Sequence, residues 1–187
     1  MKKFLCLILP PSNRSFFLFN FILLFVILSE NEALERKMKL MDIWTKLYEQ
    51  AKVEYHPTDV SPFIHAHHVV CALEALDGQI YTGFCFESCC GVLDLCAERV
   101  AALNMYAASG QTVIKRIITF REDVPEGISG MPCGGCRELL LQLSPENKET
   151  EIMLDYKKRK TIRLIDLTPH WCGWDRYRQT EKEGTEV

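Results

Sequence analysis

The sequence predicts an α/β fold, a three-layer sandwich with a mixed five-stranded sheet flanked by helices. Two observations predict it. Strand-like and helix-like runs alternate after residue 88, the pattern of a sheet covered by helices. The 187 residues are 48% hydrophobic and 25% charged, enough for one domain with a substantial core.

Each element has its own signal. Over residues 42–56, Ile43, Leu47, Ala51 and Tyr55 keep a helical period, and Pro57 ends it. "HHVVCALEAL" (67–76) and "QIYTGFCFE" (79–87) read as strands joined at Asp77-Gly78, a dipeptide suited to tight hairpins. "CAERVAALNMYAASG" (96–110) reads as a helix stopped by Gly110. "VIKRIITF" (113–120) is a strand of the buried type. A loop with Pro125, Gly127, Gly130 and Pro132 leads to a helix over about 134–143, then to strands at 151–156 and 161–167. The order is α-β-β-α-β-α-β-β, with no internal repeat and no low-complexity linker.

The ends are read separately. The apolar run "FFLFNFILLFVILS" at 16–29 contains Asn20 and is shorter than the roughly twenty residues of a spanning helix. Residues 1–40 are therefore expected to be a hydrophobic extension, either a signal anchor or long signal peptide, or a mis-assigned start. In the last case translation begins at Met41 or Met38. The segment 180–187, "TEKEGTEV", is expected to be a disordered tail.

Charge and cysteine content narrow the chemistry. A formal net charge of -3 and the lack of a basic groove interleaved with aromatics argue against long nucleic acid as a partner. "KKRK" at 157–160 lies between two strands and reads as a solvated hairpin turn. The nine cysteines are odd in number and irregularly spaced, and the core needs no staples. Reduced thiols in a cytoplasmic protein, some of them binding metal, fit this usage. The alternative location is a membrane anchored through residues 16–29.

Two short motifs open helices on either side of one strand: Cys96-Ala97-Glu98 and Pro132-Cys133-Gly134-Gly135-Cys136. Their helix N-termini can approach at one sheet edge. Helix dipoles and free backbone N–H groups there stabilise thiolates. Zinc accepts sulfur ligands, and a catalytic zinc keeps one position open. Glu98 stands close enough to take a proton from water at that position. Three other readings stay open: a closed structural zinc site, with Cys172 a conceivable fourth ligand; a thiol–disulfide pair of Cys133 and Cys136; and a binder without turnover.

The two motifs match the zinc nucleobase deaminase signature, with cysteine in place of its histidine. Together with "DGQIYTGFCFES", in order and spacing, they make the chain resemble the cytidine deaminase family over about residues 42–170. The resemblance is to its small homo-oligomeric, three-cysteine type, to which blasticidin S deaminase is related. It implies a catalytic domain over 41–179, with Zn2+ held by Cys96, Cys133 and Cys136 and protons carried by Glu98. The implied reaction is hydrolytic deamination of cytidine, deoxycytidine or a cytosine-containing nucleoside analogue in pyrimidine salvage. The implied assembly is a homotetramer or dimer. No membrane partner is expected unless residues 1–40 are retained. Arg99 is expected to offset the negative charge of a three-thiolate zinc, unless it is simply a surface arginine.

On the substrate side the chain departs from the resembling family. Glu87 takes the glutamate position of the family's ribose-holding "N-x-E", nine residues before Cys96, but Cys85 stands where the asparagine would be. In "SPFIHAHHVVCAL" (61–73), His67 falls where the family has a phenylalanine near the base, and Val70 replaces a glycine. These changes point to a nucleoside-like substrate that need not be cytidine; a modified cytidine and the antibiotic blasticidin S are the alternatives. Strand alternation would put His65 and His67 on one face and His68 on the other, so "HAHH" reads as strand histidines rather than a second metal site. Trp171 and Trp174 are expected either to reach an active site or to cap the core or an interface.

Overall fold

The computed structural model describes residues 41–183, and the expectations for residues 1–40 and 184–187 lie outside the described residues. Helix α1 spans Ile43–Val53. Strands β1 (Thr58–Ser61), β2 (Ile64–Ala75) and β3 (Ile80–Ser88) follow. Then come α2 (Ala97–Ser109), β4 (Ile114–Phe120) and α3 (Gly134–Leu143). Strands β5 (Glu151–Asp155) and β6 (Lys160–Arg163) and helix α4 (Trp174–Glu183) follow.

The sheet is mixed. Its order is β3-β2-β4-β5-β6, with β1 extending the edge of β2 that β4 also uses. Among the described residues, only β4 and β5 run parallel. The sheet therefore has six strands, not five. The extra strand, β1, is four residues long and exposed throughout, so no apolar alternation announces it. The second half of the expected strand at 161–167 is instead a 3-10 turn over Leu164–Leu167. There Arg163 reaches forward to Asp166, and Thr168 N–H bonds to the Ile165 carbonyl. Helix α4 reaches Glu183, inside the segment expected to be a disordered tail.

Three layers form because the central strands β2, β4 and β5 are apolar on both faces. Leu47 and Ala51 of α1 cover Val70, Ala72, Ile118, Phe120 and Met153 on one face. Ala97, Ala101 and Met105 of α2 and Leu140 and Leu141 of α3 cover Cys71, Leu73, Ile117 and Ile152 on the other. The β2–β3 turn at Asp77-Gly78 places Gly78 at φ 87, where glycine carries no Cβ penalty. Gly110 ends α2 in the left-handed conformation, as its sequence position requires. The basic run at 157–160 lies in the β5–β6 connection, where Lys158 pairs with Asp155. No helix among the described residues is long and apolar enough to cross a membrane.

Strand β2 does not alternate through its histidines. Ala66 faces Phe86 and Val70 faces Phe84, so His67, His68 and Val69 together stand opposite Cys85 alone. This wide bulge is made possible by His67, which takes a left-handed φ of 63. His67 is thereby turned to the α1 side, and His68 to the side of Cys85. The expected division of His65 and His67 from His68 is reversed: the His65 ring packs on His68, with centroids 4.6 Å apart.

Candidate active site

Cys96 and Cys133 are the N-cap residues of α2 and α3, and Cys136 lies in the first turn of α3. The sheet and its Cα-close helix packing bring them together. Gly83 of β3 makes room for α2, because a Cβ there would lie 2.9 Å from the Ala101 Cα and nearer still to the Ala97 carbonyl. Cys96 Sγ lies 3.6 Å from Cys133 Sγ, and Cys133 Sγ lies 3.5 Å from Cys136 Sγ. Four sulfurs around a tetrahedral zinc, at bond lengths of about 2.3 Å, are spaced about 3.8 Å apart. The three thiols thus stand close to ligand spacing.

Glu98 is 5% exposed, and its Oε2 lies 3.5 Å from Cys136 Sγ. Burial raises its pKa above the usual carboxylate range, against hydrogen bonds from its own backbone and from Cys136. Burial also raises the Cys96 thiol. It drives the Cys136 thiol up strongly, helped by the charges of Glu98 and Cys96. Burial opposes ionisation of Cys133 too, but the Cys136 backbone N–H and the neighbouring thiols outweigh it and lower the pKa. The cluster therefore disfavours its own full ionisation, and a divalent cation among the sulfurs would remove that cost. The donor set fits zinc.

Arg99 donates to the Asp94 carbonyl at 2.7 Å and reaches Cys96 Sγ at 3.9 Å. Partial burial works against its charge, but contact with Cys96 and the surrounding thiols more than restores it. Cys96, Glu98 and Cys133 open on a cavity of about 210 Å³, lined also by Val69, Cys85, Glu87, Thr119 and Met131. Cys85 and Glu87 are thus on the same wall system as Cys96 and Glu98.

His67 is not part of that lining. Its ring is stacked between Phe84 (3.6 Å) and His56 (3.8 Å), and its Nδ1 meets the Glu54 carbonyl at 2.9 Å. The bulge displaces it from the position that strand alternation would give. Its neighbour His68, which the sequence reading passed over, touches Cys85 and Glu87 instead. Thr119 was also missed. Its buried hydroxyl stands in the cavity wall within reach of Glu98, whose charged form it favours. The available signal was a lone hydroxyl near the end of the apolar strand "IITF".

Trp171 and Cys172 line a separate cleft with Glu138 and Arg176, away from the thiol cluster. Trp171 Nε1 donates to Glu138 at 2.7 Å, and Trp174 meets Trp171 edge-on at 5.0 Å. Within one chain the tryptophans cap the α3 side of the core.

No protein-family model matches the chain. It is 32% identical over 99 residues to the cytidine deaminase of Mycobacterium tuberculosis, covering 53% of this chain and 68% of that protein. Its fold superposes on the crystal structure of cytidine deaminase from Mycobacterium leprae with a TM-score of 0.55 and 26% identity, covering 70% of this chain and all of that one. The cytidine deaminase structure from Burkholderia pseudomallei matches with a TM-score of 0.52 and 26% identity over 68% of this chain and 96% of that one. Fold, thiol cluster and buried carboxylate together define a hydrolytic enzyme of the α/β deaminase class. The chain belongs to the cytidine deaminase family.

Proposed function

We propose that the chain is a zinc-dependent hydrolase that deaminates cytidine, deoxycytidine or a related cytosine nucleoside and releases ammonia. The supporting observation is the convergence of Cys96, Cys133 and Cys136 at near-ligand spacing with the Glu98 carboxylate 3.5 Å from one sulfur. Cys96, Cys133 and Cys136 would hold the metal. When bound, zinc supplies Lewis acidity that makes water a nucleophile near neutral pH.

The chain's own residues do the rest. Glu98, buried and with a raised pKa, accepts a proton from the attacking water and delivers it to ring N3. The water oxygen bonds to C4; Glu98 then takes the second proton, from the resulting C4 hydroxyl, and passes it to N4 as the C4–N4 bond breaks, leaving a C4 carbonyl and ammonia. Arg99 offsets the negative charge of three thiolates. The cavity walls exclude bulk water and orient the base. Glu87 and Cys85 stand at the end that the family resemblance gives to the sugar.

The His68 contact at 3.0 Å engages one oxygen of Glu87 and leaves the other to accept from a sugar hydroxyl. A second substrate within the same chemistry, a cytosine base on a different sugar as in blasticidin S, is favoured by Cys85 standing where the resembling family has an asparagine. The proposed assembly is a homotetramer or dimer. It is supported by the cleft between α2 and α3 lined by Ala102, Leu103, Tyr106, Leu139 and Leu143, where Leu103 and Tyr106 are half exposed. The proposed setting is cytoplasmic pyrimidine salvage.

The test is ammonia release by the full chain with cytidine, deoxycytidine and blasticidin S offered separately, beside Glu98→Ala. Turnover of one substrate that disappears in the variant supports the reading. Turnover that survives Glu98→Ala, or no turnover with all three by zinc-loaded protein, removes it.

A further inference from the structure

The bulge in β2 assembles a second set of metal-ligating side chains, at the end of the cavity that the family resemblance gives to the sugar. His68, Cys85 and Glu87 each offer one ligand atom, all within 4.8 Å of one another. His68 Nε2 lies 3.6 Å from Cys85 Sγ and 3.0 Å from Glu87 Oε1. Around a tetrahedral zinc, bonds of about 2.0–2.3 Å set nitrogen and sulfur about 3.6 Å apart and nitrogen and oxygen about 3.3 Å apart. The two measured spacings stand at or near those edges.

The surroundings suit a metal thiolate. Cys85 is 2% exposed. Because three residues oppose it across the bulge, the Val69 N–H leaves the strand ladder and donates to Cys85 Sγ at 3.2 Å. Burial raises the Cys85 thiol pKa, and this backbone donor works against it by stabilising the thiolate more than the thiol. The His68 ring is held in place by the His65 ring, which is itself fixed by Asp59 at 2.7 Å from His65 Nδ1. Cys85 and Glu87 both line the cavity shared with Cys96 and Glu98, so a fourth ligand would enter from that cavity.

We propose that His68, Cys85 and Glu87 form a second divalent-metal site of the zinc type, with one sulfur, one imidazole and one carboxylate ligand and an open position toward the cavity. Binding forms bonds from the metal to Nε2, Sγ and Oε1 and releases the Cys85 thiol proton to solvent, with no change of oxidation state. His68 then turns its other ring nitrogen, Nδ1, from Cys85 to solvent or a neighbouring acceptor. The site stands independently of the role given to the three-thiol cluster.

The experiment is zinc stoichiometry of the full chain, equilibrated with excess zinc, desalted and measured by mass spectrometry of the metal. The expected result is two zinc ions per chain in the unaltered protein and one in Cys85→Ala and in His68→Ala. Cys133→Ala should remove one ion independently of Cys85→Ala. If Cys133→Ala changes nothing while Cys85→Ala removes an ion, the three-thiol reading fails and this one stands. One ion per chain in the unaltered protein, or no loss in Cys85→Ala, overturns the proposal. Should the alanine variants fold poorly, Glu87→Gln keeps the shape and removes the charge. A zinc titration of that variant should show tenfold or greater weakening of the second equivalent only, and an unchanged titration overturns the proposal.

Discussion

Gly83 of β3 lies directly beneath Ala101 of α2, so close that a Cβ on the glycine would stand 2.9 Å from the Ala101 Cα. The contact sets the height of α2 above the sheet, and with it the position of Cys96 and Glu98. Gly83→Ala must push the helix outward. The expected cost is about 1–3 kcal/mol, as for other overpacked cores. Chemical denaturation should show the loss of stability, and ammonia release should fall further than the folded fraction alone explains. Unchanged stability would mean that α2 yields more easily than its packing implies.

Asn147 is fully buried and holds three segments at once. It accepts from Ile114 N–H at 2.7 Å and donates to the carbonyls of Thr112 and Leu140 at 2.9 and 2.8 Å. Asn147→Ala strands all three backbone groups in the interior. Each such group costs on the order of 1–3 kcal/mol, so a loss of about 3 kcal/mol or more is expected in urea unfolding. The shift in midpoint is the measurement.

Glu98 gives a pH dependence whose sign is fixed. Its folded-state pKa is raised by burial above its value in the unfolded chain. Its contribution to stability is therefore full below the ordinary carboxylate pKa and is lost as pH rises through the raised one. In chelator-treated protein, Glu98→Gln should be more stable than the unaltered chain near neutral pH. That advantage should shrink as the pH falls to about 4. Denaturation curves at a series of pH values would show it, and a pH-independent difference would contradict it. In zinc-loaded protein the same substitution should lower turnover by about 10²–10⁴-fold while metal content stays constant.

Arg99 offers a test of charge beside the thiols. Arg99→Ala should weaken zinc binding at the Cys96 cluster by about tenfold to a hundredfold, and Arg99→Lys by less. Competition with a chromophoric chelator measures both. Full retention of affinity and activity in Arg99→Ala would reduce the residue to a helix-surface arginine.

How far the sequence reveals this arrangement depends on how local each feature is. Cys96-x-Glu98 and Cys133-x-x-Cys136 are legible because each is confined to one helix start, where cap position and helical period fix the side-chain directions. Helix α3 begins and ends where its apolar period predicts, at Gly134–Leu143. The bulge at His67 is not legible, since a left-handed histidine has no sequence signature and alternation predicts the opposite face. Strand β1 is exposed at every position, and α4 is a polar helix, so neither carries the apolar pattern that would announce it. The end of strand at Arg163 coincides with a turn in which Arg163 reaches forward to Asp166, a contact that apolar periodicity does not report.

The parallel pair of β4 with β5 carries a consequence for the order in which the molecule assembles. Its crossover contains α3, so Cys133 and Cys136 arrive at their places only when that long connection closes. Cys96 is 37 residues from Cys133 and waits on the far side of β4. A nascent chain therefore exposes its first thiol well before the other two are made. The three-thiol cluster can form only after the slow, non-local pairing is complete, so metal capture would end folding there rather than nucleate it.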